Sequence, residues 1–110
     1  MDRLEHVLNH IRKPRVSSSS RSGFIYFIQC HDFIKVGFTD KVSIRLSALQ
    51  TGCPYELKLF KSIPTSDMER DERLIHNHWK RYEIRGEWFQ VPDGQLTVIL
   101  GSETIDEIFR

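Results

Sequence analysis

The 110-residue chain has no apolar run approaching the ~20 residues that a bilayer-crossing helix needs, and its start, Met1-Asp2-Arg3-Leu4-Glu5-His6, lacks the apolar stretch of a secretory signal. It holds only two cysteines, Cys30 and Cys53, with no Cys-x-x-Cys spacing, which argues against a zinc ribbon and against a disulfide scaffold. A soluble protein of a reducing, intracellular compartment is expected. Charge of one sign is not in excess either. Sixteen Lys and Arg face fifteen Asp and Glu, a formal net charge of +1, so global charge does not mark a nucleic-acid binder. Length excludes a multidomain enzyme, because single domains commonly take ~100–150 residues, and no internal repeat is present.

What is present suffices for one self-folding domain: 39% hydrophobic residues, including seven Phe, two Trp and three Tyr. Its charge is unevenly spread. Residues 1–23 carry five basic and two acidic groups, residues 24–85 ten and eight, and residues 86–110 one and five. A basic front half is joined to an acidic tail. Leu4, Val7, Leu8 and Ile11 fall on one face of a short helix that ends at Pro14, and this stripe leaves homodimerisation open. Ser17 to Ser20 and the residues to Gly23 read as a flexible linker with basic ends. The chain therefore divides into a leader over 1–22, a compact domain over 23–92 and an acidic helical extension over 93–110.

Phe24–Ile28 and Phe33–Phe38 are aromatic and β-branched runs of a hairpin. A turn centred on Cys30-His31 sets Tyr26 directly opposite Lys35. Period-two alternation gives one wholly apolar face, Ile25, Phe27, Ile34, Val36 and Phe38, and places Tyr26, Lys35 and Gly37 on the other. Asp40 caps an expected helix over 41–51 that closes at Gly52, with Val42, Leu46 and Leu49 inward and Arg45 at the rim. A third strand runs from Leu57 to Ile63 and stops at Pro64. Ser66 and Glu69 form a capping box for a helix of about sixteen residues, 67–82. Trp88 to Val91 is extended, and one or two short amphipathic helices follow Asp93.

Three positions carry chemistry. On the 67–82 helix, Met68, Ile75, Trp79 and Tyr82 form an apolar stripe whose missing member is Glu72. A carboxylate facing a core needs a partner, which is either one of the many Arg and Lys or a functional ligand, with His76 one turn on in support. Tyr26 beside Lys35 is the second, because an ammonium favours the phenolate, although a Lys stem packing on a ring is also a common cross-strand pair. Arg45 suits a phosphate contact. Two other patterns are decoys. His76-Asn77-His78 spells an HNH motif, but its letters are consecutive on one helix, and His6 with His10 lacks the further ligands of a zinc site.

Taken together these residues resemble the GIY-YIG nuclease superfamily. Ile25-Tyr26 is similar to the first half-motif, and Lys35-Val36-Gly37 to the second, with Lys35 where the second tyrosine usually stands. Arg45-Leu46, Leu49-Gln50-Thr51-Gly52, the run from Glu72 to His76, and Gly86-Glu87-Trp88-Phe89 are similar to its phage-type branch, which includes meiotically up-regulated proteins. The resemblance spans about residues 23–92. It implies an α/β (α+β) fold with a small central three-stranded sheet flanked by helices, and a DNA endonuclease or nickase of the cytoplasm, nucleoid or phage-infected cell, with RNA left open as substrate. It also implies one divalent metal, Mg²⁺ or Mn²⁺, on Glu72, with Tyr26 as general base or its activator, Lys35 polarising Tyr26, and Arg45 on the scissile phosphate. The polar group that some members carry one turn after the Arg is here Leu49, which leaves Gln50, His76 or Glu87 to serve. Arg12, Lys13, Arg15 and Arg21 of the leader are the expected DNA-backbone contacts. The alternative is a nucleic-acid-binding or regulatory module that keeps the fold without turnover. A protein-interaction domain built on the C-terminal helices rests on amphipathic periodicity alone.

Overall fold

Alternation along the first hairpin produces two antiparallel strands, β1 (Gly23–Cys30) and β2 (Phe33–Thr39). The structure is a computed structural model that describes residues 21–109. The expected leader helix, Arg12, Lys13, Arg15, and the His6 and His10 pair lie outside the described residues. β1 also pairs antiparallel with β3 (Lys58–Thr65), and β2 with β5 (Trp88–Phe89), which forms a small hairpin with β4 (Glu83–Arg85). The result is a five-stranded antiparallel sheet of order β3-β1-β2-β5-β4, not the three-stranded sheet expected. The three expected strands form one side of it. The addition comes from Gly86, whose φ of 57° turns Glu83–Arg85 back along Trp88. Glycine takes that conformation without strain.

The hairpin register differs from the expectation. Tyr26 pairs with Gly37, and Lys35 pairs with Ile28, because the turn is His31-Asp32 with Cys30 opposite Phe33. His31 takes the left-handed conformation, φ 56°, which in a sequence without glycine at this turn leaves no local signal. The register differs by an even number of residues, so the face assignment is unaffected. Ile25, Phe27, Ile34 and Val36 are at most 1% exposed and join Ile63, Phe89, Ile75 and Trp79 in the main core. Each large apolar side chain taken out of water there contributes about 1.5–3 kcal/mol. On the opposite face Tyr26, Ile28, Cys30 and Leu57 pack with Leu46, Leu49, Cys53 and Trp88.

Helix α1 (Val42–Thr51) covers that second face, and α2 (Met68–His78) the first. Asp40 does not cap α1. Its N-cap is Lys41, whose amide donates to Thr39 Oγ1 at 3.1 Å. Nor do Ser66 and Glu69 form a box on α2, where Asp67 takes the cap and accepts from the Arg70 amide. α2 is also shorter than expected, because a 3₁₀ turn (Lys80–Tyr82) follows Trp79 and Tyr82 leaves the helical stripe. Pro64 continues β3 rather than ending it, which an edge strand permits. The C-terminal segment forms α3 (Asp93–Leu100) and α4 (Ile105–Ile108), and Ile99, Ile105 and Ile108 enter the main core. Among the described residues no helix is long and apolar enough to cross a membrane.

One close approach locks the two strands of the hairpin together. A β-carbon placed on Gly37 would lie 2.3 Å from the Tyr26 hydroxyl oxygen and 2.4 Å from Cζ, so the Tyr26 ring occupies the space of the missing side chain. An alanine in a strand is ordinarily better than glycine. Here Gly37→Ala is expected to lose about 1–3 kcal/mol by overpacking. In a Tyr26→Ala background the same change costs little, and urea melts of the four proteins check the coupling.

Candidate functional site

β5 pairs with β2 only at Ile34 and Lys35, so the ladder ends early and Gly37, Phe38 and Thr39 run on beside an open cleft of about 380 Å³. Tyr26, Arg45, Glu72 and Glu87 line this cleft, as do Arg21 and Lys41. α1 brings Arg45 to it, α2 brings Glu72, and the β4–β5 turn brings Glu87.

Tyr26 is 1% exposed by residue area, and its hydroxyl accepts a long hydrogen bond from Arg45 Nε at 3.5 Å. Burial pushes its pKa above the ordinary phenol value; the Arg45 guanidinium opposes this, and the carboxylates of Glu87 and Glu72 add to it. Tyr26 is therefore a neutral phenol, contrary to the expectation of a favoured phenolate. Lys35 does not polarise it. Two residues out of register with Tyr26, its ammonium pairs with Glu87 Oε1 at 3.0 Å and lies 5.5 Å from the centre of the Trp88 ring. Arg45 is the cation beside the phenol oxygen.

Glu72 is half-buried and finds no Lys or Arg ion-pair partner among the described residues. Its contact is His76 Nε2, 3.6 Å from Oε2. The same His76 nitrogen lies 3.0 Å from the Val36 carbonyl oxygen, and the ring stands edge-on to Phe89 with centroids 5.0 Å apart. As an Nε2–H donor, His76 satisfies a β2 carbonyl where the strand ladder ends. Burial raises the Glu72 pKa, His76 lowers it and Glu87 raises it further. The carboxylate buried most deeply on α2 is instead Asp71, 4% exposed, which accepts from Thr65 Oγ1 and pairs with Arg70 at 3.0 Å. Asp71 is architecture, and with Met68 and Ile75 it makes up the buried side of α2.

Of the three candidates for the polar group, Glu87 lines the cleft and His76 stands behind Glu72. Gln50 is committed elsewhere: its amide donates to the Cys53 and Tyr55 carbonyls and accepts from the Leu57 amide, clamping the loop after α1. His78 stacks edge-on with Phe109, so the His-Asn-His string does not converge. Arg21, the last basic residue of the leader, reaches the cleft and its carbonyl accepts from the Met68 amide at 3.0 Å. Lys41 was not foreseen as a lining residue, although its place just before α1 was the available signal.

The fold and site define a mixed α+β domain with a polar cleft at an incomplete sheet edge. The T5orf172 domain model matches residues 23–110, and the chain belongs to that family. No curated protein and no solved structure matches it.

The raised pKa of Glu72 has a definite sign. A carboxyl that binds its proton more tightly when folded stabilises the protein fully below the ordinary carboxylate range, and that contribution is lost as pH rises through the folded pKa. Above the folded pKa the ionised Glu72 is therefore a cost, and Glu72→Gln should melt no lower than wild type at neutral pH. The variant's advantage should disappear on acidification below the carboxylate range, as thermal melts across pH will check. A neutral-pH melt well below wild type would make Glu72 a structural ion.

Proposed function

We propose that this chain is an endonuclease or nickase that hydrolyses DNA phosphodiesters in the cleft, with a GIY-YIG-type site. The observation that carries the reading is the convergence of Tyr26, Arg45 and Glu72, far apart in sequence, on one open polar cleft. The acid and base of phosphodiester hydrolysis must meet at a phosphate, and these side chains supply a hydroxyl, a cation and a hard carboxylate there.

Arg45 holds the non-bridging phosphate oxygens and offsets the charge that builds on them. Its Nε contact keeps the Tyr26 oxygen oriented. Tyr26, neutral at rest, gives its own proton to solvent water, Arg45 stabilising the phenolate so formed, and the phenolate then takes a proton from the attacking water while solvent protonates the leaving oxygen. The pairing of Lys35 with Glu87 holds the second carboxylate at the cleft mouth.

A divalent ion fits this donor set. Glu72 is a hard oxygen ligand facing open space, and it shares the cleft with the like-charged Glu87. No group of three His, Cys, Asp or Glu able to hold a metal occurs among the described residues. Glu72 would therefore hold Mg²⁺ or Mn²⁺ with waters and phosphate oxygens completing the shell, the usual way Mg²⁺ is bound. When bound, the ion supplies Lewis-acid stabilisation of phosphate charge and of the leaving oxygen. On this reading Arg12, Lys13, Arg15 and Arg21 supply contacts to the DNA backbone.

Incubation with supercoiled plasmid and Mg²⁺ or Mn²⁺ tests the reading. Nicking should stop with chelator and fall about 10²–10³-fold in Arg45→Ala, the scale of losing one charge-stabilising donor. Salt-sensitive DNA binding with no cleavage of DNA or RNA under any metal would instead identify a binding module without turnover.

A further inference from the structure

The two cysteines, separated in sequence by the second strand and α1, meet in the structure. Cys30 ends β1 and is buried, and the half-buried Cys53 packs against the same cluster, with Ile28 and Leu57 beside them. The segments that carry them are held together from both sides. Gln50 pins the loop through the Cys53 and Tyr55 carbonyls at 3.4 and 2.9 Å and the Leu57 amide at 2.8 Å. His31, next to Cys30, stacks edge-on with Tyr55 at a centroid distance of 4.8 Å. Between these two fastenings Cys30 and Cys53 pack in one cluster, with Cys53 a close neighbour of the Cys30 thiol.

We propose that Cys30 and Cys53 form a reversible dithiol–disulfide site that reacts with low-molecular-weight disulfides such as oxidised glutathione. Neither thiol takes part in the proposed cleavage, so this inference stands apart from the nuclease reading. Cys53 reacts first, because it is reachable from solvent, whereas burial and the neighbouring thiol push the Cys30 pKa up and leave it little thiolate. The Cys53 thiolate attacks one sulfur of the glutathione disulfide, whose sulfur–sulfur bond breaks, and one glutathione leaves and takes up a proton. Cys30 then loses its proton to solvent and attacks the Cys53 sulfur of the mixed disulfide, expelling the second glutathione. Two protein thiols are oxidised and one glutathione disulfide is reduced to two thiols. The bond closes the α1–β3 loop onto the end of β1, a junction already fixed by Gln50 and the His31–Tyr55 pair, so little ordering is left to do.

The test equilibrates the full chain with graded ratios of reduced and oxidised glutathione, traps thiols with acid and alkylation, and measures intact mass under non-reducing conditions. Wild type should become a monomer lighter by two hydrogens, with both alkylation sites lost and both restored by excess reduced glutathione. Cys30→Ser and, as a second variant against misfolding, Cys30→Ala should stop at a single glutathione adduct on Cys53. Cys53→Ser should stay unmodified while folded. The proposal is overturned if wild type stays fully reduced at the most oxidising ratio, accumulates the glutathione adduct without closing the internal bond, or forms only disulfide-linked dimers.

Discussion

The Tyr26 ring lying on Gly37 is the contact on which the cleft depends. Because β2 offers no side chain at that position, a ring that is otherwise fully enclosed can slide across the strand and carry its hydroxyl to the sheet edge. The ring body is then part of the second-face core with Ile28 and Leu57, while its oxygen meets Arg45 from α1. One residue thus packs the core and presents its hydroxyl to the cleft, which explains why glycine and tyrosine are cross-strand neighbours here. A larger residue at Gly37 would displace the ring, and a smaller one at Tyr26 would empty the core.

The second constraint is where the sheet stops. β5 covers only Ile34 and Lys35 of β2, and the backbone groups beyond them find partners of other kinds: the Val36 amide donates to the Glu87 carbonyl at 3.1 Å, and the Val36 carbonyl receives His76. Those two substitutes bring Glu87 and the Glu72–His76 pair to the edge. The charges around the opening are mixed, Arg21, Lys41 and Arg45 against Asp40, Glu72 and Glu87. An anion held beside a cation, as proposed, asks for a lining of both signs.

Much of this was legible in the sequence. Alternation sorted Ile25, Phe27, Ile34 and Val36 from Tyr26 and Gly37, and helical spacing put Glu72 near Met68 and Ile75. What was not legible depended on features without a local signature. The turn takes a left-handed His31, so local pattern sets Lys35 opposite Tyr26, whereas its ammonium pairs with Glu87, from a hairpin much further along the chain. Glu83–Arg85 is too short and too exposed to read as a strand before its partner is known. Asp71, three residues after Met68 and four before Ile75, shares the stripe with Glu72, and only its bonds to Thr65 and Arg70 mark it as the buried one, while the packing of Cys30 with Cys53 depends on a loop clamped by Gln50. Each miss is a tertiary contact overriding local pattern.

The most direct measurement of the central claim is single-turnover cleavage of a labelled DNA duplex by Tyr26→Phe, with binding and melting measured on the same samples. The variant loses one hydroxyl and keeps the ring on Gly37. The account predicts a cleavage rate lower by about a hundredfold or more, the scale of a lost acid–base group, at unchanged DNA affinity and fold. Cleavage by Tyr26→Phe at the wild-type rate would contradict it and leave the phenol as packing alone.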